Sequence, residues 1–122
     1  MAAFNWVRFD AVCPVCRERA SIRAQLHVAA AFEGDARGRF CNRTYRLGEK
    51  LRWWDPAHKD FGDWKIGGEP GGVLAGTVLE CCYAYCMRCA RELYAVIEIS
   101  DLMITKIVEI GPEASWPSVY AR

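Results

Sequence analysis

Apolar residues along this chain recur mostly at every second position, the period of a strand that buries one face. From Ala20 to Val28, the residues Ile22, Ala24, Leu26 and Val28 alternate with Ser21, Arg23, Gln25 and His27, so the first set is expected to face a core. Upstream, the aromatic and β-branched residues of FNWVRFDAV (4–12) favour extended backbone leading into a turn at CPVC. The pattern is strongest over 92–110. There Leu93, Ala95, Ile97 and Ile99 alternate with Tyr94, Val96 and Glu98, and Leu102, Ile104, Val108 and Ile110 continue the apolar face beyond Ser100-Asp101. This predicts two strands joined by a turn. RCARELYAV (88–96) also carries helical spacing, but the β-branched run after it argues for sheet.

Turn-forming residues divide the remainder. EGDARG (33–38) is a turn signal, and RFCNRTYRLGEKLRWW (39–54) predicts a hairpin of two short strands bent around Leu47-Gly48-Glu49. Residues 55–72 hold five Gly and two Pro without periodicity, which predicts a long exposed loop, and loops of that length are often functional. Residues 73–85 then run as a strand into CMRC, and 111–122 form a tail with two prolines laid over the surface. The expectation is a mainly β chain: one domain over 1–122 built on an antiparallel sheet, with an inserted hairpin and long loop at 33–80.

The 122 residues suffice for one core, and at this length a metal staple would add useful stability. The N-terminus lacks the basic and apolar regions of a secretory signal, and no apolar run approaches the ~20 residues of a membrane span. A cytoplasmic location is therefore expected, where thiols stay reduced and paired C-x-x-C motifs are better read as metal sites than as disulfides. The two motifs here are separated by 69 residues. Each turn aims two thiolates at one ion while loop amides donate to sulfur, so Cys13, Cys16, Cys86 and Cys89 are expected to hold one Zn²⁺ in a closed, structural tetrahedron. Cys82 offers a third thiol beside the second motif, whereas Cys41 is expected to be a small buried hydrophobe. His27 and His58 read as surface histidines. CPVC also matches a redox dithiol, but no helix or parallel strand follows it as that chemistry would need.

Strand, CPVC, strand and a β-hairpin return with CMRC together resemble a zinc ribbon with rubredoxin-type knuckles, over about a third of the chain. Zinc ribbons serve transcription factors, ribosomal proteins, enzymes and small bacterial proteins, so the resemblance implies a fold more than a function. A single-domain ribbon with its own insertion is similar in architecture to the immunity proteins of bacterial toxin systems. That likeness implies binding of a cognate toxin.

Charge separates the remaining choices. Residues 17–52 carry nine Arg and Lys against four acids, whereas 53–122 carry six against ten. Four zinc-bound thiolates would bring the formal net charge of +1 near −1. A nucleic-acid-binding ribbon, with Arg37, Arg39, Arg43, Arg46, Lys50 and Arg52 interleaved with Phe40, Tyr45 and Trp53, is the alternative, but the near-neutral total argues against nucleic acid as the partner. No serine triad, carboxylate pair or open metal position points to an enzyme. Another protein is the expected partner, met by Tyr45, Arg46, Arg52, Trp53, Trp54, Asp55, Phe61 and Trp64, because aromatic residues and arginine are enriched at binding hot spots.

Overall fold

The two hairpins that the alternation predicts are present. In a computed structural model, which describes residues 4–30, 38–63, 65–66, 69–70 and 76–120, β1 (Asn5–Val12) and β2 (Arg19–Leu26) pair antiparallel around the first cysteine turn. Ala20, Ile22, Ala24 and Leu26 are buried in β2, as the period-2 reading requires. Two residues of β3 (Thr44–Tyr45) follow, then β4 (Lys65–Ile66) and β5 (Glu69–Pro70), which form a minimal antiparallel ladder inside the segment expected to be an unstructured loop. A single 3₁₀ turn at Phe61–Asp63 precedes it. The strands β6 (Thr77–Cys86), β7 (Glu92–Ser100) and β8 (Met103–Pro112) complete an antiparallel meander. The turn placed at 33–37, the start of the strand placed at 73–75, Arg37 and Trp64 lie outside the described residues.

Among the described residues the main sheet has the order β3-β1-β2-β6-β7-β8 and is mixed, because β3 runs parallel to β1. The hairpin expected at 39–54 does not form. The Leu47-Gly48-Glu49 turn is real, with Glu49 N–H donating to Arg46 O and Gly48 at φ 88°, but its limbs go to different strands. Thr44 and Tyr45 pair with Trp6 and Val7, whereas 48–51 bond to the start of β8 through Gly48 N–H to Ile104 O (2.7 Å), Ile104 N–H to Glu49 O (3.0 Å) and Leu51 N–H to Leu102 O (2.7 Å). Two open sheet edges satisfy more backbone groups than limbs this short could satisfy in each other. The stretch 44–51 is thus a strap between the two edges, and the sheet curls around one core of Val7, Phe9, Ile22, Leu26, Leu51, Leu93, Ile97, Ile99 and Ile104.

One core assignment needs correction. Val108 is 49% exposed. Register shifts between Val96 and Ile97 and between Glu98 and Ile99 pair Ile97 with Ile107 and Ile99 with Ile104, so Ile107 and Ile110 turn inward where strict alternation would have put Val108. The tail continues β8, then lays Trp116 against Tyr83 (ring centroids 4.7 Å apart) and Tyr94. Gly111 lies opposite Tyr94, and a Cβ there would come within 2.6 Å of the tyrosine ring.

Candidate metal centre

Each C-x-x-C motif sits in the turn of a β-hairpin, and the two turns are built alike. Val15 and Cys16 N–H donate to Cys13 Sγ at 3.3 and 3.4 Å, while Arg88 and Cys89 N–H donate to Cys86 Sγ at 3.4 Å each. In both turns the first cysteine's carbonyl accepts from the residue four on (Arg17, 2.9 Å; Ala90, 2.8 Å), and its own N–H donates to the carbonyl five on (Glu18, 2.9 Å; Arg91, 3.1 Å). The residue that closes each turn is left-handed, Arg17 at φ 63° and Ala90 at φ 59°, although neither is glycine. The β2–β6 register then brings the turns together: Ile22 pairs with Cys86, and Met87 N–H donates to Ser21 O at 2.9 Å.

The result is one group of four sulfurs, all within 4.8 Å of one another, and it is the only such group among the described residues that could hold a metal ion. Cys13 Sγ lies 3.8 Å from Cys89 Sγ and Cys16 Sγ lies 4.0 Å from Cys86 Sγ. A tetrahedral thiolate site with metal–sulfur bonds of about 2.3 Å has its sulfurs about 3.8 Å apart, so the spacing fits an ion at the centre. Cys13 and Cys86 are fully buried, and Cys16 and Cys89 are half-buried.

Ionisation of the four thiols is coupled to such an ion. Burial opposes ionisation of Cys13, but the amides of Cys16 and Val15 outweigh it and bring its pKa down to about 7. For Cys16 the amide of Glu18 favours the thiolate, yet burial and the three neighbouring sulfurs together push its pKa up to about 11. Four sulfurs this close cannot all carry charge without a cation among them.

Cys82 is not a ligand. It is buried, and its thiol donates to Glu80 Oε2 at 3.1 Å; burial, reinforced by the Glu80 charge, raises its pKa. Cys41 is half-buried with its thiol on Gly38 O at 3.6 Å. His27 differs from the surface residue expected: its Nδ1 lies 3.2 Å from Glu80 Oε2. The signal was a glutamate at an inward position of an alternating strand, because a buried carboxylate needs donors. Glu80 finds them in the N–H groups of His27 and Val28.

The expected partner surface is gathered in part. Arg52, Trp53, Trp54 and Asp55 line a groove of about 370 Å³ together with Phe40 and Lys50. Trp53 Nε1 donates to Phe61 O at 2.7 Å, and Trp54 stacks on His58 with ring centroids 4.1 Å apart. Asp55 is exposed and caps Ala57 N–H. Tyr45 is instead buried in the core beneath, its hydroxyl accepting Arg52 N–H, and Arg46 lies exposed at the strap turn. Alternation alone could not place Tyr45, because the strap's two limbs serve different edges.

Among the described residues no helix is long and apolar enough to cross a membrane. No protein-family model, curated protein or solved structure matches this chain.

Proposed function

We propose that the chain is a zinc-stabilised protein-binding module that acts as an immunity-type inhibitor, covering a cognate bacterial toxin. Zinc is the ion that four thiolates in a closed tetrahedron suit best, and such a site leaves no coordination position for substrate. Its role is to hold two hairpins together. The observation that carries the binding reading is the groove at Phe40, Arg52, Trp53 and Trp54. It adjoins Leu102 in the β7–β8 turn, whereas the cysteines sit at the other end of β7, nine residues or roughly 30 Å of strand away. Metal and groove therefore divide the work, one fixing the fold and the other offering aromatic anchors with a charged rim.

Co-expression with the product of the adjacent gene tests this reading. The two proteins should co-purify and the partner's toxicity should fall. Trp54→Ala should weaken the complex by about 2 kcal/mol or more while metal content stays the same. A neighbour that neither co-purifies nor changes in toxicity would remove the immunity reading, and a complex indifferent to Trp54→Ala would remove the groove.

A further inference from the structure

The groove lined by Phe40, Trp53, Trp54 and Leu102 has a rim on which positive charge prevails. Lys50 and Arg52 line it two residues apart, both exposed, with the buried Leu51 between them. That alternation marks extended backbone, so the two cations share the outer side of the chain, roughly 7 Å apart along it. Among the described residues neither forms an ion pair. Arg39 adds a third positive charge, its guanidinium 4.9 Å from the centre of the Trp54 ring.

The acids nearby are turned to backbone amides instead. Glu49 Oε1 accepts Arg46 N–H at 2.7 Å, Asp55 Oδ1 accepts Ala57 N–H at 3.0 Å, and Asp101 Oδ1, beside Leu102, accepts Gly76 N–H at 3.0 Å. Of these three only Asp55 lines the groove, against both Lys50 and Arg52. A guest must therefore bring apolar surface for the rings and negative charge for the rim. An extended peptide does both: one large side chain packs on the tryptophans, and carboxylates at alternate positions beside it match the spacing of the two cations. Nucleic acid fits less well, because a base needs an open ring face to stack on. Trp54 already carries His58, 4.1 Å between ring centroids and 7° between planes, and Trp53 carries Phe40 at 4.7 Å.

We infer that the groove takes an extended acidic segment of a partner protein, with one large apolar side chain seated against Trp53 and Trp54 and flanking carboxylates on Lys50 and Arg52. This rests on the protein-binding reading and names the chemistry of the partner.

The test is fluorescence anisotropy of the metal-loaded full chain with three labelled peptides of about twelve residues, each with one central tryptophan, flanked by alternating Asp and Ser, by alternating Lys and Ser, or by Gly and Ser alone. The Asp peptide should bind about tenfold or more tighter than the uncharged one and the Lys peptide weaker than both, and this order should flatten as salt is raised toward about 1 M. Lys50→Gln combined with Arg52→Gln should lower the Asp peptide to the affinity of the uncharged one, with metal content and circular dichroism unchanged. Trp54→Ala should weaken both of these peptides. The inference is overturned if the Asp peptide does not bind at millimolar concentration, if it binds no tighter than the uncharged one, or if the double Gln variant binds it as the parent does. A mixed-sequence single-stranded oligonucleotide that displaces the Asp peptide at lower concentration than the unlabelled peptide does would overturn it in favour of nucleic acid. If the adjacent gene's product co-purifies through Trp54 and the double Gln variant leaves that complex intact, the acidic segment is wrong and protein binding stands. If the Asp peptide binds in the expected order and the neighbour does not co-purify, the acidic segment stands and the immunity reading falls.

Discussion

Glu80 holds His27 by both ring and backbone: its carboxylate lies 3.2 Å from His27 Nδ1 and accepts the backbone N–H of His27, as well as that of Val28. The hydrogen bond from Glu80 raises the His27 pKa above its ordinary 6.5, against the opposing effect of burial. A raised folded-state value means that the pair's contribution is complete below the ordinary pKa and is lost as pH rises through the raised one. The stability difference between the parent and His27→Gln should therefore be larger at about pH 6 than at about pH 8.5, read from urea midpoints of the metal-loaded proteins. A constant difference would show that His27 acts by packing alone.

The second prediction concerns the ion. Native mass spectrometry should find one zinc per chain, and a chelator should unfold the β1–β2 and β6–β7 turns, because binding energy in such sites is folding energy. Cys13→Ser and Cys89→Ser should lose the metal. Cys41→Ser, whose thiol only reaches a carbonyl, should change stability by less than about 1 kcal/mol. A chain that keeps its fold and melting temperature without metal would count against a structural ion.

Ala90 closes the second cysteine turn at φ 59°, a conformation that an L-residue holds at a cost. Ala90→Gly should therefore be neutral or stabilising by up to about 1 kcal/mol, whereas Ala95→Gly, buried in β7, should lose at least about 1 kcal/mol. Thermal unfolding of the two metal-loaded variants compares them directly. Equal losses would show that relieving the left-handed turn has no value.

Gly111 gives a steric test on the opposite strand. Its substitution by alanine would drive a Cβ to 2.6 Å from the Tyr94 ring, so Gly111→Ala should destabilise by about 1–3 kcal/mol. Gly111→Ala combined with Tyr94→Leu should cost less than the sum of the two single changes, as measured by a double-mutant cycle. Additive costs would mean the ring is not what excludes the methyl group.

The cysteine spacing made the four-thiol cluster legible in the sequence, because tight turns fix local geometry and four thiols have few alternative uses. The strands β2 (Arg19–Leu26) and β7 (Glu92–Ser100) were equally readable, since each pairs along its whole length with a neighbouring strand of its own hairpin. Legibility ended where pairing was non-local. The sequence of 39–54 holds a turn and two extended limbs, but nothing within it says that Tyr45 joins β1 while Leu51 joins β8. The bulges beside Ile97 and Ile99 likewise displaced Val108 from the core without a glycine or proline to mark them.

The strap at 44–51 has a consequence for solubility. A sheet edge with bare N–H and C=O groups can recruit a strand from another molecule, and the strap covers the Trp6–Val7 end of one edge and the Leu102–Ile104 end of the other. Both covers are carried by one short piece of chain and hang on a few hydrogen bonds to Trp6, Leu102 and Ile104. Release of the strap would lengthen both open edges together, without first disturbing the cysteine end. Aggregation of this protein should thus begin at the strap, with the ion still bound.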